Sequence, residues 1–315
     1  MSVFFSIVIP TYQQHQYISD CVNSFLNQSF CDFEIIISDD SEDDLTLNIC
    51  RSLTDKRIRY FKNEPRLGRV GNYRLNALER ATGKWLIICD GDDCLTDIHY
   101  LNDAKKIIDQ HSSLTFIQAG HLKGDSINSS APELPHIADQ QLFLNGFDYL
   151  MRFQEIAHFS HLSTLSNLEH LRKINPFRLN ILSSDVDSYL RLVFYGDVYL
   201  LKKPVGFWRQ HQHNASSTSG VSSIVKNLTW IGSVATFWIN HCANEQKSLI
   251  RQWEKSTSKN AIRFLFREMI RNKTTDWITV RIFFYEAFRM RFLFHLVSDR
   301  QTYRYLMQYL KRRKD

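Results

Sequence analysis

The sequence predicts an α/β fold, a mostly parallel sheet flanked by helices, with a helical C-terminal extension. Three observations carry that expectation. Short apolar runs alternate with amphipathic segments from the N-terminus to about residue 120, the pattern of strand–crossover–strand units. Pro10-Thr11-Tyr12, Asp39-Asp40 and Asp90 to Asp93 each follow such a run, at the strand carboxyl ends where open parallel sheets bind ligands. Beyond residue 220 the texture changes to long helical periodicity.

Residues 4–10 form a first strand, and 17–28, with Ile18, Val22, Phe25 and Leu26 on one face, a helix. The run Ile35-Ile36-Ile37 makes 34–38 a second buried strand, and it passes into Asp39-Asp40-Ser41. A weaker helix over 43–53 and a less buried strand over 58–62 follow. Residues 70–81 are helical and stop before Gly83, a residue suited to ending a helix. Trp85 to Cys89 are five apolar residues in a row, too short for a buried helix and so a strand covered on both faces. A helix over 97–110 turns Ile98, Leu101, Ala104 and Ile108 inward, and 114–119 is a further strand. Residues 120–135 are polar and turn-rich and read as a mobile loop. Helices are expected over 139–153, 167–174 and 184–195. The last opens on Ser183-Ser184-Asp185, a helix start where backbone amides hold a carboxylate. A short strand over 198–201 precedes Pro204 and the polar segment from Trp208 to Asn214. In the C-terminal region Ile262, Leu265, Phe266, Met269 and Ile270 share one helical face. Arg251, Lys255, Lys259, Arg263, Arg267 and Arg271 recur every four residues, 277–297 interleaves Phe with Arg, and the chain ends in Lys311-Arg312-Arg313-Lys314.

A chain of 315 residues holds one large domain, or one domain and an appendage. With 43% hydrophobic and 23% charged residues it has the composition of a globular protein with a core, which excludes the disordered and fibrous classes. The net charge of +6 is uneven: residues 251–315 hold 16 Lys/Arg against 6 Asp/Glu, and residues 1–250 hold 23 against 27. A basic, aromatic end on a neutral-to-acidic body points to an anionic membrane surface or another polyanion. The six cysteines show no CxxC pair or metal-site spacing, and free thiols in a reducing cytoplasm are expected. The first apolar run lacks a basic flank and ends at Pro10, so it reads as a strand and not a signal peptide. No stretch reaches the roughly 18 to 20 apolar residues of a membrane span.

The chemistry concentrates at Asp90-Gly91-Asp92-Asp93. Burying these carboxylates costs several kcal/mol each, on the order given by transfer energies, unless a cation sits among them. Two readings stand on these residues alone: an acidic turn, which Asp and Gly form readily, or a site for a divalent metal carrying a phosphorylated ligand. Gly91 lets the backbone approach a ligand closely. There is no GxGxxG after the first strand, no GxxxxGK[ST], no HExxH and no GxSxG, and Leu95 stands where an EF-hand loop needs Gly. By itself Asp185 reads as a helix cap, and His211 and His213 as loop histidines.

Taken in order, Ile7-Val8-Ile9-Pro10-Thr11-Tyr12, Gln28-Ser29-Phe30 and Phe33 to Ser41 resemble the start of family 2 glycosyltransferases. The resemblance continues through Ala81-Thr82-Gly83-Lys84-Trp85 into Asp90-Gly91-Asp92-Asp93, which is similar to that family's DxD motif. It resumes at Ser184-Asp185 and at Trp208-Arg209-Gln210-His211 with Asn214 to Ser216, so that it covers roughly residues 3 to 216. It implies a GT-A (Rossmann-like) catalytic domain over 1–218, with a nucleotide-sugar half to about 120 and an acceptor half beyond it. Residues 219–315 are left as a basic, aromatic helical region. It further implies a nucleotide-sugar donor, a UDP-sugar being favoured, a divalent metal (Mn2+ or Mg2+), and transfer with inversion. By position Pro10, Thr11 and Tyr12 line the base and ribose pocket, Asp40 takes a hydrogen bond from the base with Asp39 in support, and Asp90 meets the ribose. Asp92 ligates the metal, Arg209 and His211 serve the diphosphate or the metal, and Asp185 is the general base, with Asp187 as its rival. Arg66, Arg69 and Arg74 are further candidates for the phosphates. The family usually has Glu where this chain has Ser184. The implied setting is cell-surface polysaccharide (O-antigen type) assembly on a glycan or polyprenyl-linked acceptor. The enzyme would be cytoplasmic and peripheral on the inner face of the membrane, with no nucleic acid as partner. The rival functions are a sugar nucleotidyltransferase, which would carry a glycine-rich basic loop after the first strand, and a non-catalytic binding protein on a transferase fold. Oligomeric state stays open.

Overall fold

In the computed structural model, residues 3–135, 142–156, 160–212, 223 and 226–271 are described, with side chains in the last helix to residue 264. His213, Asn214 to Ser216, the face from Leu265 to Ile270, the aromatic segment 277–297 and the terminal basic run lie outside the described residues. The elements run β1 (Phe5–Thr11), α1 (His15–Leu26), β2 (Phe33–Asp39), α2 (Leu45–Ser52), β3 (Ile58–Lys62) and α3 (Gly68–Leu75), which continues as a π-helical turn, Asn76–Arg80. Next come β4 (Trp85–Ile88), β5 (Cys94–Leu95), α4 (Tyr100–Gln110), β6 (Leu114–Gly124), β7 (Ala131–Glu133), β8 (Phe143–Leu144) and α5 (Gly146–Ile156). The order closes with β9 (Thr164–Asn167), α6 (Leu168–Lys173), α7 (Ser184–Leu192), β10 (Asp197–Arg209), α8 (Thr229–His241) and α9 (Asn244–Arg271).

All strands join one sheet in the order β3-β2-β1-β4-β9-β6-β10-β5, with β7 on β6 and β8 on β10. Its first four strands are parallel, and Ile7 sits between Ile35 and Ile87 in register. These three isoleucines are fully buried, and α1 lays Ile18, Val22 and Phe25 into the same core. That is what continuous apolar strands and a 3.6-residue apolar stripe dictate.

Three expectations are corrected, and one strand was unforeseen. Residues 120–135 are not one loop: β6 runs on to Gly124, pairing with β10 on one edge and β7 on the other, and only 125–130 form the connection between β6 and β7. Its polar side chains meet one another there, with Glu133 3.4 Å from His121 and 3.5 Å from Lys123. β10 does not stop at 201 but extends to Arg209, with register shifts on either side of Pro204, the kind of irregularity that tolerates a residue lacking an N–H. Ile98 does not face inward. It precedes α4 and is 53% exposed, and Tyr100 fills the inward position. β9 was not expected at all. Thr164-Leu165-Ser166-Asn167 is short and polar, yet it lies antiparallel between β4 and β6, where partners on both edges satisfy its backbone.

One buried carboxylate ties the parallel strands together. Glu34 accepts from Ser6 Oγ at 2.7 Å, from the Thr82 amide and hydroxyl at 2.7 Å each, and from Arg59 at 2.6 Å. Burial pushes its carboxyl up, but hydrogen bonds from Thr82, Ser6 and Arg59 outweigh burial and hold it below the ordinary value. A carboxyl depressed in the folded state stabilises above its ordinary pKa, and that stabilisation disappears as pH falls through the folded value. Glu34→Gln is therefore expected to cost about 1–3 kcal/mol near neutrality, with the gap to wild type closing on acidification. Urea denaturation at several pH values measures it, and a gap independent of pH refutes the assignment.

Two compact units divide the chain: residues 1–180 with 184–214, and 181–183 with 215–315. In the second, α8 and α9 pack together and Trp230 meets Trp253 edge-on at 6.2 Å. Asn227 also clasps Ser183 there, accepting from its amide at 2.7 Å and donating to its hydroxyl at 2.9 Å. Arg251 and Lys255 are exposed on α9, and Lys259 and Arg263 are half-buried. No helix of the described residues is long and apolar enough to cross a membrane.

Candidate active site

The loops after β1, β2 and β4 are stitched into one edge. The Asp40 amide donates to Thr11 O at 2.9 Å, the Gln13 amide to Ser41 Oγ at 2.8 Å, and the Gly91 amide to Pro10 O at 3.1 Å. Gly91 must be glycine for space, because a Cβ there would lie 2.8 Å from Thr11 Oγ1 and 2.9 Å from Thr11 Cβ. Pro10, Thr11, Tyr12, Asp40 and Asp90 thus share one surface. Gly91→Ala is expected to displace Thr11 and destabilise the fold by about 1–3 kcal/mol, the usual effect of overpacking, read as a lowered denaturation midpoint.

Asp39 and Asp40, adjacent in sequence, are used differently. Asp39 is fully buried, accepting from Tyr60 OH at 2.7 Å and from the Ser41 amide at 2.8 Å, so it braces the turn that presents Asp40. Asp40 Oδ1 accepts from Asn63 Nδ2 at 2.9 Å and from the Leu67 amide at 3.2 Å, and Arg80 fixes Asn63 by donating to its Oδ1 at 2.9 Å. Among the described residues Oδ2 of Asp40 receives no hydrogen bond. Nearby Tyr12 is 41% exposed, with the Arg66 guanidinium 3.9 Å above its ring and Glu42 3.2 Å from Arg66. Arg66 therefore covers the Tyr12 ring, whereas Arg74 bonds to none of these groups.

Asp90 accepts from Tyr73 OH at 2.9 Å. Burial and the neighbouring Asp92 push its carboxyl up to about 7, against the pull of Tyr73 and Arg69. Asp92 is 6% exposed, its Oδ2 2.8 Å from His211 Nε2. Arg209 braces this turn twice, its amide donating to Asp93 Oδ1 and its Nε to Asp92 O, both at 2.9 Å. The guanidinium lies 4.5 Å from the Tyr17 ring, on which His211 also stacks at 5.9 Å. Asp93, raised well above the ordinary range by burial and by Asp92 and Asp90, belongs to the brace.

A metal can be tested against this donor set. Among the described residues no three His, Cys, Asp or Glu side chains converge, so the protein offers one carboxylate and one imidazole, Asp92 and His211. Mg2+ and Mn2+ are commonly held by one or two protein ligands, with phosphate oxygens and water completing the shell. The pair fits such an ion.

Across the edge stands Asp185, in the first turn of α7 with a side chain 19% exposed. The sequence expected backbone amides around this carboxylate, but among the described residues none bonds to it. Instead it faces His161 Nε2 at 3.9 Å. Arg69 carries its charge toward both Asp90 and Asp185. Asp187, one turn position further, is fully buried, 3.3 Å from Arg191 and 3.9 Å from Arg178. Tyr73, His161 and Tyr189 were not singled out from the sequence. The sequence had offered Arg69 only as a candidate for the phosphates, Tyr73 lay unmarked in the predicted helix 70–81, and nothing marked His161.

Residues 6–169 match the family model described as Glycosyl transferase family 2. Over 112 residues the chain is 34% identical to the poly(ribitol-phosphate) beta-N-acetylglucosaminyltransferase TarS of Staphylococcus aureus, covering 35% of this chain and 19% of that protein. Over 91 residues it is 36% identical to the GalNAc(5)-diNAcBac-PP-undecaprenol beta-1,3-glucosyltransferase of Campylobacter jejuni, covering 28% of this chain and 29% of that one. The aligned stretches thus span under a third of these relatives' lengths. In structure the chain is similar to S. aureus TarS 1-349 in complex with UDP-GlcNAc, with a TM-score of 0.65 at 18% identity over 90% of this chain and 79% of that one. It is also similar to the mannosyltransferase PcManGT of Pyrobaculum calidifontis in complex with GDP-Man and Mn2+, with a TM-score of 0.56 at 11% identity over 98% and 86%.

Proposed function

Because this chain belongs to glycosyl transferase family 2 and has the GT-A fold, we propose that it transfers a sugar, with inversion, from a UDP-sugar to a hydroxyl of a glycan or polyprenyl-linked acceptor in cell-surface polysaccharide synthesis. The observation that carries this reading is one edge bearing Asp40, Asp90, the Asp92–His211 pair and Asp185. Asp40 has one carboxylate oxygen engaged by Asn63 and Leu67, and the other suits a single imide N–H, as uracil presents. Tyr12 lies beneath the base and Asp90 accepts from a ribose hydroxyl. Asp92 and His211 hold Mg2+ or Mn2+, which when bound neutralises the charge of the departing diphosphate as a Lewis acid. Arg209 offers its guanidinium to the same phosphates while bracing the turn. Asp185 takes the proton of the acceptor hydroxyl. One carboxylate suffices, since inversion needs no covalent intermediate. The domain division at about residue 218 belongs to this reading, with the basic C-terminal region resting on an anionic membrane surface.

A panel of nucleotide sugars tested for thermal stabilisation with and without Mn2+ examines the donor, since a ligand that binds the folded state raises its apparent stability. UDP-sugars should stabilise only with the cation. Stabilisation without the cation, or by GDP-sugars in preference, refutes the assignment. Flotation of the full chain with anionic vesicles, weakened by salt, is expected if the C-terminal region rests on lipid. A chain that ignores the vesicles rules that part out.

A further inference from the structure

We infer that His161 is a positioning residue for Asp185, its Nε2–H orienting the carboxylate that meets the acceptor hydroxyl. The inference rests on the assignment of Asp185 as general base. His161 opens the 3-10 turn His161–Ser163, immediately before β9. β9 is antiparallel to β4, pairing Asn167 with Trp85 and Ser166 with Leu86, so its N-terminal end arrives where β4 releases Asp90. That placement delivers the imidazole into a wall of rings: Tyr73 at 4.7 Å, Tyr189 at 5.7 Å and Phe177 at 5.9 Å.

The two ring nitrogens have different partners. Nδ1 lies 2.8 Å from Tyr189 OH. Among the described residues Nε2 is buried with no hydrogen-bond partner, and Asp185 Oδ2 lies 3.9 Å from it. A lone pair on Nε2 would be repelled by the carboxylate, so the proton sits on Nε2 and the Tyr189 hydroxyl donates to Nδ1. Burial holds the imidazole below its ordinary pKa, with Arg69 adding to that and Asp185 opposing it. Among the described residues the charged and titratable groups facing His161 are Asp185 and Tyr189 from α7 and Arg69 and Tyr73 from α3. A neutral N–H suits the task, because it aims a carboxylate without forming the ion pair that would weaken its basicity. The 3.9 Å gap is of the kind that closes when substrate completes a site. The proton removed from the acceptor goes to Asp185, and His161 exchanges none.

Two variants separate this role from mere packing. The amide nitrogen of glutamine reaches the place of Nε2, while that of asparagine reaches only Nδ1. His161→Asn is expected to lower kcat about tenfold, the effect of losing one charge-assisted hydrogen bond, with donor KM and UDP–Mn2+ affinity unchanged. The acid limb of its pH profile should move to higher pH, since a carboxylate that loses a donor is protonated more easily. His161→Gln should keep most of kcat and the wild-type limb. In an Asp185→Asn background, His161→Asn should cost nothing further. Equal losses in the two His161 variants with an unmoved acid limb, or additive losses in the double variant, overturn the proposal. If His161→Asn does not fold, Tyr189→Phe removes the tautomer lock and should shift the limb in the same direction, and an unmoved limb refutes it. An Asp185→Asn enzyme with wild-type turnover defeats the base assignment itself. An inactive Asp185→Asn enzyme with indifferent His161 variants defeats only this inference.

Discussion

Asp185→Asn lowers turnover by about 10² to 10⁴, the usual contribution of a general base, while UDP–Mn2+ affinity and thermal stability stay near wild type. The carboxamide keeps the volume of the side chain and can still face His161, so only the capacity to take a proton is removed. Asp185 is partly exposed and pairs with no cation among the described residues, and the fold therefore loses little. Asp187→Asn should behave oppositely. Its carboxylate is buried between Arg191 and Arg178, and removing one partner of such a pair costs about 3–5 kcal/mol. Single-turnover rates, calorimetry and melting temperatures on the two variants decide the matter. An active Asp185→Asn enzyme beside a folded but dead Asp187→Asn enzyme assigns the base to the other carboxylate.

Asp92→Asn abolishes metal-dependent binding of UDP, and turnover with it. The neutral amide oxygen is a weaker ligand for a hard dication than a carboxylate, and only His211 remains beside it. The fold survives, because the brace on this turn uses the main-chain carbonyl of Asp92 and the carboxylate of Asp93, not the Asp92 side chain. Calorimetry of UDP in the presence and absence of Mn2+ gives the result. Wild-type affinity with the cation removes Asp92 from the ligand set. His211→Ala should produce a weaker form of the same defect, through loss of the second donor and of its stacking on Tyr17.

Local pattern was enough to read the parallel half of the sheet and where its strands end from the sequence. Ile7-Val8-Ile9, Ile35-Ile36-Ile37 and Trp85 to Ile88 are continuous apolar runs that stop on Thr11, Asp40 and Asp90. A strand buried on both faces has to look like that, whatever surrounds it. Family resemblance, not periodicity, singled out Asp185 and the Asp92–His211 pair, 119 residues apart. Several features were decided only by tertiary structure. Thr164 to Asn167 became a central strand because β4 and β6 supplied partners on both edges, and with it came His161. Asp185 and Asp187 are chemically the same and two residues apart. One faces the candidate site and the other is neutralised by two arginines, because a helix turns neighbouring side chains to different sides. Residues 120–124 looked like a loop because Gly120, His121, Lys123 and Gly124 leave the segment no apolar run, whereas its place is fixed by pairing with β10 and β7. In each case the deciding interaction joins residues distant in the chain or depends on which way an element turns, and the composition of a short window carries no record of either.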